Sequence, residues 1–162
     1  MNLKDNREPK RRNTDEVLKF RICMEKSVLG IGWGLNADFV SWYDYRELAN
    51  LCYKENVGYT AAVNALQEMS CEDLVWTQEP VNHLWYLAQV LDNEPSLCCN
   101  LREFDLFSYR KVKFYGVDEE SLCRYGLPKE KLLGRHTIER ICKQDLIDAT
   151  IRLFASIKKI NR

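Results

Sequence analysis

The residues in this chain best suited to chemistry are aromatic and cationic rather than acidic or nucleophilic. Trp33 stands between Gly32 and Gly34, at the end of a β-rich run over 20–34 that also carries Gly30. Trp76 and Trp85 follow about fifty residues later, in two short runs of β-forming residues, with Tyr86 beside Trp85. Tryptophan is large, rigid and highly buried on average. Glycine lets a ligand or a second backbone approach closely. An aromatic-lined pocket needs this combination, and a plain β core presents it too. Further on, Tyr109, Lys111, Lys113 and Tyr115 alternate with Val112 and Phe114. In an extended strand the first four share one face. Rings interleaved with cations suit bases and phosphates together. The alternative is a solvent-facing strand guarded by its lysines.

Other chemistries lack their residues. Seven cysteines cannot all pair internally, and the absence of an apolar leader points to a cytoplasmic protein with reduced thiols. No C-x-x-C occurs, and His83 and His136 have no ligand-spaced partner, so no metal site and no cofactor is expected. Most of the cysteines read as small buried hydrophobes. The glycines at 30–34 are not followed by the lysine of a phosphate loop. Lys26 precedes Ser27, the reverse of an S-x-x-K nucleophile. Glu25 and Asp38 have no periodicity that would pair them as acid and base. Lysine plus arginine and aspartate plus glutamate each total 24, so no whole-chain field selects a polyanion and local patches must decide.

The elements that would position these residues follow from periodicity. Residues 1–16 form a flexible basic arm with Lys10, Arg11 and Arg12, and 17–162 form one domain. Leu18, Phe20, Ile22 and Met24 alternate as in a strand over 17–24. A helix over 44–55 is opened by Asp44 as N-cap, with Leu48, Leu51 and Cys52 on one face. A second covers 59–69 through Ala62, Val63, Leu66 and Met69. A hairpin joins 74–77 to 84–91, with Trp76 beside Leu74 on one face and Trp85 opposed to Tyr86. A loop over 92–100 leads to a strand over 102–117. A short strand over 135–141 finishes the sheet, and a helix over 145–160 docks through Leu146, Ala149, Ile151, Leu153, Phe154 and Ile157. The fold class is therefore α+β: a small, strongly curved, partly open β-barrel with helices packed on it and a C-terminal helix.

The run from Glu25–Lys26–Ser27 to Gly32–Trp33, the helix pair, 72–76, the reply strand 85–90, the strand 110–117, Gly126–Leu127–Pro128 and 135–141 come in an order that resembles the PUA-like superfamily, in its EVE/YTH-like branch. The resemblance spans roughly 17–142 as a pattern of elements. It implies a barrel whose mouth takes a flipped or unpaired, modified base in a cage of rings. On this chain it points to Trp33 and Trp76 as cage walls, Trp85 or Tyr86 as a third, and Lys26, Ser27 and Asn36 as readers of the base's polar edge. Arg110, Lys111, Lys113 and Arg135 would hold the phosphates. The function implied is a non-catalytic nucleic-acid reader, of modified DNA ahead of RNA, working with a separate nuclease or motor protein and no membrane. An adaptor that binds protein in a phage or defence system is the alternative, because exposed rings on a neutral chain suit a protein interface equally. A small hydrolase of nucleosides or nucleic acid ranks third, for want of a nucleophile–base pair.

Overall fold

The structure, a computed structural model, describes residues 16–32, 35, 40–53, 57–97, 104, 106–132 and 141–160. Residues 1–15 of the expected basic arm, Trp33, Asn36, Arg135, His136 and most of the strand expected at 135–141 lie outside the described residues, and Glu16, expected to end the arm, opens the first helix.

The first element corrects the periodicity reading. Residues Glu16–Lys26 form helix α1, not a strand. Leu18, Phe20, Ile22 and Met24 fit a period of two, but Leu18 and Ile22 also fit a turn of helix. Lys19, Arg21, Met24 and Glu25 in the same run are strong helix formers. Glu16 in the first turn and Lys26 in the last complement the helix dipole. Ile22 is the one buried residue of α1, packed with Leu106, Cys23 and Phe104. Ser27 stops the helix in the left-handed region (φ 54°), its N–H donating to the Met24 carbonyl. The chain then enters β1, Val28–Ile31.

Helix α2, Trp42–Tyr53, opens with a reciprocal cap. Ser41 Oγ accepts from Asp44 N–H at 3.1 Å, and the Asp44 carboxylate accepts from Ser41 N–H at 3.0 Å. Ser41 is thus the N-cap and Asp44 its capping-box partner. Trp42, Tyr45, Ala49 and Cys52 face inward, while Leu51, expected on that face, is exposed. Helix α3, Val57–Glu68, buries Tyr59, Ala62, Val63 and Leu66 against α2, Ile31 and Phe107. Burial pushes the Tyr59 hydroxyl up to about 12, and it donates to Asn50 Oδ1 at 3.1 Å.

The sheet is antiparallel, in the order β1-β5-β3-β2, curled into a half-barrel. Strands β2 (Leu74–Gln78) and β3 (Trp85–Val90) form the expected hairpin. Its connection is fastened by the Glu79 carboxylate, which accepts from Val81 N–H, and by Glu79 N–H, which donates to the Leu84 carbonyl. The loop after β3 contains a two-residue strand, β4 (Ser96–Leu97), paired to β5. Strand β5, Ser108–Val117, is the spine: its first half pairs with β1 and β4, its second with β3.

Both faces of the sheet are covered, by different partners. On one, Ala88, Val90, Val112 and Val75 pack with Met69 at the end of α3. On the other, Trp85, Leu87 and Val117 meet the C-terminal elements. These are α4 (Glu119–Arg124), a 3-10 turn (Lys129–Lys131) and α5 (Gln144–Ile160). Asp118 caps α4 by accepting from Ser121 N–H at 2.6 Å. In α5, Leu146, Ala149, Thr150 and Leu153 face inward, and Ile151, expected with them, faces solvent. No helix among the described residues is long and apolar enough to cross a membrane.

Candidate nucleic-acid interface

The aromatic residues expected to wall a pocket divide between the two faces of the sheet. Trp76 and Trp85 share a face and meet edge to face, ring centroids 6.1 Å apart at 80°. That geometry is the favoured one for packed rings, and it leaves no slot between them for a base. Trp85 is 3% exposed among Leu122, Leu127, Leu132 and Leu146. Trp76 is half-buried, and its Nε1 donates to Thr150 Oγ1 of α5 at 3.1 Å. Both are docking residues for the C-terminal helix. Tyr86 points to the opposite face, 5.6 Å from the Phe20 ring and 6.5 Å from Phe114. A cage made from Trp76, Trp85 and Tyr86 together is excluded by the strand's alternation.

Lys26 and Ser27 sit at the end of α1, both exposed. The Ser27 carbonyl accepts from Val112 N–H at 2.9 Å, so this residue joins α1 to the spine strand. Lys26 and Ser27 lie beside β5, two strands away from Trp76 on β2.

Arg110, expected to hold phosphate, is a correction. It is fully buried. Its Nε pairs with Asp92 Oδ1 at 2.7 Å, and Nη2 donates to the Asp92 carbonyl. Nη1 donates to the carbonyls of Leu66 and Met69 at the end of α3. The last carbonyls of a helix have no partner within it and carry its negative end. Arg110 supplies the missing donors, and with Asp92 it ties α3, the β3–β4 connection and β5 together. Asp92 also accepts from Lys111 N–H at 2.8 Å.

Lys111 and Lys113 occupy the other face of the same strand and are exposed, with half-buried Tyr109 in line. Tyr115, next on that face, is covered by α5: its ring meets Phe154 edge-on at 5.3 Å. Lys113 Nζ lies 5.3 Å from the Tyr115 ring, and Lys158 Nζ lies 4.7 Å from Phe154. A run of cations and rings thus crosses from β5 onto α5. Lys158 escaped the strand-based reading; its signal was helical, one turn after Phe154 on the α5 stripe.

The thiols sort by position. Of the five described cysteines, Cys52 is buried and Cys23 half-buried, its thiol pushed up by burial, while Cys71, Cys123 and Cys142 are exposed rather than in the core; Cys98 and Cys99 lie outside the described residues. Among the described residues no group of three or more His, Cys, Asp or Glu side chains is arranged to hold a metal ion. No family model, curated protein or solved structure matches this chain.

Proposed function

We propose that the chain is a non-catalytic nucleic-acid-binding module of the cytoplasm, engaging the sugar–phosphate backbone along the solvent face of β5. The observation that carries this reading is the line of Tyr109, Lys111 and Lys113 on one exposed strand face, extended by Lys158 from α5. Lysines two apart on a strand project side by side to the same side. A tracking cationic groove with a half-exposed ring suits a single strand, where stacking contributes about 1–3 kcal/mol per base. The half-barrel supports, as part of the proposal, a PUA-like frame with a modified base as preferred ligand. Trp76 and Trp85 have no contact role in it.

Fluorescence anisotropy with labelled oligo(dT) and oligo(U), with and without methylated bases, tests the reading at about 50 and about 200 mM salt. The expected result is saturable binding that weakens with salt. Changing Lys111 and Lys113 together to glutamate should lower the slope of log K against log salt by about 1.4, at about 0.7 per phosphate contact on a single strand. Binding unchanged in that folded double variant overturns the assignment of the surface.

One observation favours a second reading, a protein-interaction module: Tyr43 and Leu51 stand on the outer side of α2 with most of their surface in water. Absence of oligonucleotide binding at low salt, with a stoichiometric protein retained through purification and lost in Tyr43→Ser, would favour it.

A further inference from the structure

Lys113 has a neighbour that a solvated strand face does not require. Directly across from it on β3, on the same face, lies Gln89, with Leu74 of β2 beyond. Gln89 is 4% exposed. Its Oε1 accepts from the Tyr115 hydroxyl at 3.4 Å. Its Nε2 bonds to no described residue and is not one of the fully buried atoms left without a partner, so it reaches the surface. A carboxamide nitrogen carries two donors. A glutamine held by its oxygen thus turns two N–H donors to the surface beside Lys113.

The surroundings select the charge of a ligand for those donors. Lys113 flanks Gln89 in register, and its ammonium also lies over the Tyr115 ring. Across the Tyr115–Phe154 contact stands Lys158. From Ile151 to Ile160, α5 contributes Arg152, Lys158 and Lys159 and no carboxylate. Lys113 and Lys158 are cationic, and the Gln89 nitrogen adds two donors beside Lys113. Donors of that kind form short, charge-assisted bonds to anionic oxygens.

We propose that Gln89, Lys113 and Lys158 form an anion subsite at the junction of β3, β5 and α5, and that it takes a phosphate group. The identification of that group as a phosphodiester of nucleic acid rests on the function proposed above; a mononucleotide or free phosphate would offer the same oxygens. Tyr115 is a positioning residue: its hydroxyl fixes the oxygen end of Gln89 and leaves the two N–H groups for the ligand. Lys111, one step along the strand, would meet the neighbouring phosphate.

The test is an amide NMR titration of the full chain labelled with nitrogen-15. The side-chain NH2 pair of Gln89 is identified by its loss in Gln89→Glu. Inorganic phosphate is added against sodium chloride at matched ionic strength. A saturating shift of that pair with phosphate, absent with chloride, is expected. Lys113→Gln, at an exposed position, should weaken the phosphate response about tenfold through loss of a charge-assisted bond. No saturating shift, or a shift unaltered in folded Lys113→Gln, overturns the subsite. Oligo(dT) and thymidine monophosphate form the second arm. An oligonucleotide that binds through Lys111 while the Gln89 pair stays unmoved overturns the subsite and leaves the nucleic-acid reading intact. A Gln89 pair that responds to phosphate and the mononucleotide, in a protein that binds no oligonucleotide at all, supports the subsite and removes the nucleic-acid reading.

Discussion

Arg110 and Lys111 are consecutive on β5 and carry the same charge, yet the two faces of that strand treat them oppositely. Arg110 points to the side covered by α3 and is fully buried, its guanidinium bonded to Asp92 and to two helix-end carbonyls. Lys111 points to the α5 side, at a level of the strand that α5 does not cover, and is exposed. Two residues further along, Lys113 is still in solvent; four further along, Tyr115 lies under Phe154. One strand therefore carries a structural cation on one face and candidate ligand-binding cations on the other. The division follows from what packs on each face, since alternation only assigns residues to faces. Arginine fits the buried role because its planar fork can serve several acceptors at once. Lysine fits the exposed one, with a mobile and strongly hydrated charge.

The sharpest way to break this comparison is Arg110→Ala. It strands the Asp92 carboxylate and the carbonyls of Leu66 and Met69, and removing one partner of a buried pair costs about 3–5 kcal/mol. Urea denaturation should show a loss of that order, and a loss below about 1 kcal/mol would mean that Arg110 is not a structural tie. Trp85→Ala should cost a similar amount, about 3–5 kcal/mol, by opening a cavity beneath α5. The smaller change Trp76→Phe keeps a ring against α5 but gives up the bond to Thr150, for about 0.5–1.5 kcal/mol. Oligonucleotide affinity should stay at the wild-type value in this variant; a selective loss of affinity at full stability would return Trp76 to the binding surface.

The exposed face should behave in the opposite way. Lys111→Glu should leave stability within about 0.5 kcal/mol while weakening oligonucleotide binding and flattening its salt dependence. A destabilisation comparable to that of Arg110→Ala would erase the distinction between the two faces.

The smallest effect concerns the cap that starts α4 on the α5 side of the sheet. The bond from Ser121 N–H holds the Asp118 carboxyl below its ordinary value of 3.8. A folded-state value below the unfolded one means the unfolded chain takes up the proton first as pH falls. The cap's contribution is therefore complete above the ordinary aspartate range and is lost as pH falls through 3.8 toward the depressed folded value. Asp118→Asn keeps an acceptor and should remove this one component of the acid dependence, read from denaturation midpoints between neutral and acid pH.

Much of the fold is legible in the residues alone. The apolar spacing of α2, α3 and α5 and the alternation of the β2–β3 hairpin lie where local pattern and tertiary role agree. The first helix was not legible in the same way. Over 17–24 a strand and a helix can be drawn through the same apolar residues, and the docking of Ile22 on Leu106 settles the matter. Ile151 and Leu51 show the same limit, since an apolar stripe wider than its contact leaves some members in water.

For the candidate site, the sequence by itself determined which side chains share a face: Tyr109 with Lys111 and Lys113, Trp76 with Leu74, and Trp85 against Tyr86. The strand's period of two is a property of the backbone and holds wherever the strand lies. Which face is buried, and by what, was decided only by the tertiary structure. The end of α3 reaching Arg110, and α5 arriving over Trp76, Trp85 and Tyr115, join residues far apart in the chain. Contacts of that separation depend on where helices dock, and no local pattern around Arg110 or Trp85 encodes the helix that will cover it.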